Sequence, residues 1–181
     1  FNSHWCYEKF RYFFQIPEDK SIVIKNGAHY FPKRKVYKKG EPIRIMHHCT
    51  PWRGLNVLLL AMQYVQNKNV TLDVYSSIFE ETFCASALEA LAAGLHVITT
   101  NFGALPETCA EWPVYINYTK DLELLAAATA GAIDVAAGYL HTETIQNHLN
   151  EQQKYYQKFY SWDKKAMEWE NFLKGALSVK Q

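Results

Sequence analysis

From Pro42 onward, short apolar runs alternate with longer stretches of helical spacing, and this alternation constrains the fold more than any other feature of the chain. Strands joined through helices run parallel, and the amphipathic helices between them must cover the faces of the sheet. The expectation is therefore an α/β fold: a Rossmann-like parallel sheet with helices on both faces, followed by a helical tail. Strands are expected at Ile43 to Cys49, Val70 to Ser76, His96 to Thr100 and Val114 to Tyr118. Helices are expected at Leu55 to Val65, Cys84 to Ala93, Leu122 to about Leu140 and Thr142 to about Phe159. A last helix follows, with Ser161 as its cap and Asp163 in its first turn.

The stretch before Pro42 has a different character. Ser3 to Phe14 has helical spacing, with Trp5, Phe10, Phe13 and Phe14 available to one face, and Pro17 stops it. Ser21 to Lys25 reads as a short strand ended by an Asn26-Gly27 turn. Residues 33 to 39, KRKVYKK, read as a solvated linker or as a hinge segment near an anionic ligand. Residues 1–40 are thus expected to form a helix and linker region, and 41–181 the ligand-binding domain. The start at Phe1 and the aromatic first helix suggest a piece of a longer protein.

Composition narrows the partners. With 49% hydrophobic residues in 181, the chain can fill one core. A formal net charge of +1 gives no general attraction to nucleic acid or anionic lipid, so an anionic partner must be held locally. No apolar run is read as reaching the roughly 18 residues a membrane-spanning helix needs. Cys6, Cys49, Cys84 and Cys109 are too scattered for a disulfide framework or a zinc site, and reduced thiols in a cytoplasmic protein are expected.

Three pieces can hold such an anion, each expected just beyond the carboxyl end of a strand, where α/β sheets bind ligands. The first is Thr50-Pro51-Trp52-Arg53-Gly54-Leu55. Here Gly54 lets the backbone approach closely, and Arg53 offers a planar fork to phosphate oxygens. The second runs from Glu80 to Gly94, with Glu81 at the start of a helix and Glu89 two turns along. Thr82 and Phe83 lead into the small residues Cys84, Ala85, Ser86 and Ala87, which would let a diphosphate reach the helix N-terminus, while a carboxylate can accept hydrogen bonds from vicinal sugar hydroxyls. The third, Thr99 to Glu107, turns at Gly103, which can point backbone N–H groups toward the same anion.

The run EETFCASALEALAAGLHVITTNFGALPE resembles the glutamate, seven residues, glutamate signature of retaining GT-B glycosyltransferases. The Arg53-Gly54 turn, the stretch from Val23 to Gly27 and the closing Phe159-Tyr160-Ser161-Trp162-Asp163 segment resemble that family's donor domain as well, so the likeness spans nearly the whole chain. The resemblance implies that Arg53 binds the diphosphate, Glu81 the donor sugar and Glu89 the ribose hydroxyls, with Gly54, Thr82, Phe83, Cys84, Ala85 and Gly103 lining the donor site. It implies a UDP- or GDP-linked sugar as donor, no cofactor and no metal. The acceptor site then belongs to an N-terminal domain outside this sequence.

The chain also departs from the family pattern. His47 and His48 stand where a second basic residue is usual; as neighbours on a strand they would point to opposite faces, which disfavours joint metal ligation. Cys84 replaces a glycine and His96 a proline. Tyr75-Ser76-Ser77 runs straight into Ile78-Phe79-Glu80, too short a link for a parallel crossover, so either a unit is deleted or residues are omitted between Ser77 and Ile78. Two rival functions share the architecture: a nucleotide-sugar epimerase, and a binding or assembly module that has lost activity. A sugar phosphorylase would need a pyridoxal-phosphate lysine, for which the sequence offers no convincing setting.

Overall fold

Residues 1–47, 54–71 and 81–178 are described in a computed structural model of the chain. Among them the element order is α1 (His4–Phe14), β1 (Ile43–Arg44), α2 (Leu55–Tyr64), β2 (Val70–Thr71), α3 (Ala85–Ala92), β3 (Ile98–Thr100), α4 (Leu105–Cys109), β4 (Val114–Ile116), α5 (Leu122–Tyr139), α6 (Glu143–Tyr160) and α7 (Trp162–Ser178), with a 3-10 turn at Glu18–Lys20 after α1. Both strand pairs are parallel. Ile43 lies opposite Val70 in the first pair. In the second, Ile98, Thr99 and Thr100 lie opposite Val114, Tyr115 and Ile116.

The helices cover both faces, as the alternation requires. One core joins Val57, Leu58 and Ala61 of α2 to Leu125, Ala126, Ala130 and Ile133 of α5, over Val70 and Ile116 and with Ile43 and Ile98 packed against it. The opposite core joins Phe83, Ala87, Leu88 and Leu91 to Val97, Leu105, Cys109 and Tyr156. Alternation along the strands makes this possible: Ile98 and Ile116 face the first core while Val97 and Tyr115 face the second.

Four findings differ from the sequence reading or refine it. Ser21 to Lys25 forms no strand; the N–H of Ile24 bonds to the Phe1 carbonyl at 2.9 Å and the Phe1 amine to the Ile22 carbonyl at 2.9 Å, which leaves the segment extended but outside any ladder. The turn after Gly103 continues into α4, whose first turn holds a proline and Glu107. The run KRKVYKK has no regular structure, yet Arg34 is half-buried and held: its guanidinium donates to Gln146 Oε1 at 2.9 Å on α6. Finally, α5 is long and apolar enough by composition to cross a membrane, with a mean hydropathy of 1.3, because alanine, glycine and threonine fill the gaps between its larger residues. Here one face of α5 packs on α2, and Asp134 on it accepts the backbone N–H groups of Gln66 and Asn67.

Candidate functional site

The described part of the site is built around the start of α3. That helix is seated by its apolar face, with Leu88, Leu91 and Ala92 fully buried. Its far end is held by Gln152 of α6, whose amide donates to the carbonyls of Leu91 and Leu95 at 3.0 Å each. Its near end is tied at two points. Ser3, fully buried, donates its hydroxyl to the Thr82 carbonyl, and the Ala104 N–H donates to the Glu81 carbonyl at 2.8 Å. The second and third sequence pieces are thereby brought together: the loop bearing Glu81 is bonded to the turn at Gly103, whose φ of 62° is the left-handed conformation that glycine adopts without strain.

The side chains of the loop divide sharply. Phe83 and Cys84 are 7% and 4% exposed and turn into the core, so any contact they make with a ligand runs through their backbone. Thr82 and Ala85 are exposed. Cys84 is the N-cap of α3 and contributes no side-chain hydrogen bond there, and the first turn carries no acidic residue. Burial, with Cys84 close by, pushes the Cys109 thiol far above its ordinary range, so it stays protonated beneath the loop. Cys6, Cys84 and Cys109 are buried and form no disulfide; Cys49 lies outside the described residues.

The two glutamates occupy unlike surroundings. Glu81 is 3% exposed. Glu89, on the outward face of α3 together with Ala85 and Ser86, has a side chain 39% exposed and stands 3.6 Å from His29 Nε2. Sequence reasoning missed His29, since nothing local to His29 or Glu89 signals a contact across that separation. It also placed Glu107 with the anion-binding turn. The structure instead aims that carboxylate at the start of α1, where it accepts the backbone N–H groups of His4 and Trp5 at 2.9 and 2.8 Å and pairs with Lys25 at 3.1 Å. Burial raises the Glu107 carboxyl, but these bonds together with the His4 ring outweigh it and hold the group at about 2.

Of the first piece, Thr50 to Arg53 lies outside the described residues, as do His48, Glu80 and the link from Ser77 to Ile78. Gly54 is described. It is buried and caps α2 with φ 110°, and α2 likewise begins without a side-chain cap and without an acidic first turn. Among the described residues no three His, Cys, Asp or Glu side chains converge into a metal-binding group.

No protein-family model and no curated protein sequence matches the chain. Solved structures do. A glycosyltransferase from Rickettsia africae ESF-5 superimposes with a TM-score of 0.77 at 17% identity, covering 97% of this chain and 62% of that one. Sucrose-phosphate synthase from Thermosynechococcus elongatus gives 0.70 at 16% identity, covering 96% and 57%. The chain thus has the α/β fold found within these two structures, over about three-fifths of their length, and at such identity the likeness speaks for fold alone.

Proposed function

We propose that this chain is the donor-binding part of a retaining glycosyltransferase, holding a UDP- or GDP-linked sugar for transfer to an acceptor. The observation that carries the reading is the start of α3: a helix N-terminus whose cap residue adds no side-chain bond to it and whose first turn holds no acid, the small Ala85 exposed and Ser86 half-buried at its mouth, and Glu89 on the same outward face. A helix start of this kind favours a diphosphate through its dipole and N–H groups, and the favour grows as charge develops on the departing diphosphate. Glu89 accepts hydrogen bonds from ribose hydroxyls. Glu81, in the loop bonded to the Gly103 turn, is the contact for the transferred sugar. Arg53, assigned from the sequence, adds a bidentate phosphate contact. Neither glutamate acts as a covalent nucleophile, and no metal or cofactor is invoked. The acceptor binds to a further domain, and the chain by itself binds donor without efficient turnover.

Calorimetry with UDP- and GDP-sugars tests the reading. One of the two should bind, and Glu89→Ala should weaken it by about tenfold or more, the size of a charge-assisted hydrogen bond. An unchanged affinity in that variant would remove the ribose assignment. Product analysis with the complete protein separates transfer from epimerisation, and a complete protein that binds donor without turnover would be the assembly module.

A further inference from the structure

The chain corner that precedes His29 is fixed on two sides. Gly27 lies against α7 so closely that a Cβ there would come within 2.7 Å of the Trp162 ring. Ala28, 3% exposed, donates its N–H to the Tyr160 carbonyl at 2.6 Å, bridges to Ser161, and packs into the same core as Ala87, Leu88 and Leu91 of α3. His29 therefore emerges beside α3 from a held backbone, and its imidazole stands over the outward face where Glu89 projects.

The 3.6 Å between His29 Nε2 and Glu89 Oε1 is longer than a direct N–H···O hydrogen bond. An oxygen set beside that gap can lie about 2.8 Å from both atoms, an ordinary hydrogen-bond length. It would have to accept the imidazole N–H and donate to the carboxylate, because an ionised glutamate has only lone pairs to offer. A hydroxyl does both at once. A phosphate oxygen has no proton to donate and is repelled by Glu89, and an ammonium cannot accept. With side chains 69% and 39% exposed, both groups are open to a ligand from solvent.

We propose that His29 is a binding residue of the donor site, forming with Glu89 a donor-and-acceptor pair that receives one ribose hydroxyl of the nucleotide. This rests on the reading of Glu89 given above, and it adds a specificity element from the segment before the sheet. A bland surface ion pair predicts something else, since exposed pairs contribute little to stability and nothing to ligand choice.

Titration calorimetry with UDP, GDP and their 2′-deoxy and 3′-deoxy forms decides between them. Expected is a loss of about tenfold for the ribonucleotide that binds when His29→Ala is made, no loss for whichever deoxy form lacks the shared hydroxyl, and recovery of most of the affinity in His29→Gln, whose amide also donates. The melting temperature should not move in either variant. If Glu89→Ala weakens binding while His29→Ala does not, or if His29→Ala weakens the ribonucleotide and both deoxy forms alike, the role of His29 is overturned and the donor site stands. If the wild-type chain binds neither nucleotide, or Glu89→Ala is neutral, the donor reading falls and this inference with it.

Discussion

The starts of α1 and α3 lie side by side, joined by the bond from Ser3 to Thr82, yet the protein treats them in opposite ways. At α1 it closes the helix with its own groups: the Ser3 hydroxyl accepts the Cys6 N–H at 2.9 Å, and Glu107 takes the two donors before it, those of His4 and Trp5, as an internal anion. At α3 the cap residue is Cys84, whose side chain makes no capping bond to the helix, and no carboxylate stands in the first turn. The start of α5 follows the α1 pattern, with Asp121 accepting from Glu123 and Leu124 at 3.1 Å each. At α1 and α5 the chain's own acids close the helix start, whereas α3, like α2, carries none in its first turn, which suits an anion from outside.

The contrast breaks most severely at Glu107. Glu107→Ala should destabilise the fold by on the order of 2–3 kcal/mol, since it strips two backbone donors and Lys25 of their partner at once. Thermal unfolding should then move down by roughly 5–10 °C. Acid exposes the same contact. Because the Glu107 carboxyl falls from 4.5 to about 2 on folding, its contribution is complete above pH 4.5 and is lost as pH drops toward 2. His96 acts in a higher window. Burial, with His148 nearby, lowers its imidazole from 6.5 to about 4, so the unfolded chain binds the proton first and stability falls as pH goes from 6.5 to about 4. Stability measured against pH should therefore show two losses, and Glu107→Gln should flatten the lower one alone.

Ala85→Glu sharpens the comparison from the other side by giving α3 the acid it lacks. Ala85 is exposed at the first position of the helix. Nucleotide affinity should fall about tenfold by repulsion of the diphosphate, while stability holds or rises by about 0.5 kcal/mol; an affinity left intact would show that α3 does not face the phosphates. Asp121→Ala gives the smallest change, about 1 kcal/mol by denaturant unfolding with nucleotide affinity untouched, as expected of a cap that serves stability alone.

Much of this arrangement was legible beforehand. The spans of α1, α2, α3, α5 and α6 follow from apolar spacing, and the start of the last helix follows from its cap, since Ser161 does accept the Lys164 N–H at 3.3 Å. Gly103 takes the positive φ its place in the turn suggested. The strand expected at Ser21 to Lys25 failed because a strand exists only by pairing, and apolar spacing cannot say whether a neighbour is present. α4 carries a signal in the sequence, Pro106 followed by Glu107 shortly after the Gly103 turn. The partners of Glu107 and Glu89 carried none, since His4 and His29 lie far away along the chain.

The sequence by itself determined which residues are apolar at which period, and hence the alternation of strand and helix, the two-faced layering and the positions of the small residues before α3. These are local quantities, fixed by backbone geometry and side-chain type. Only the tertiary structure decided that Glu107 closes α1, that Glu81 is buried while Glu89 stays open, and that a held corner at Ala28 sets His29 beside Glu89. Those outcomes depend on which distant segments packing brings together, and a carboxylate's role is set by the donors it meets, which its own neighbours in the chain do not specify.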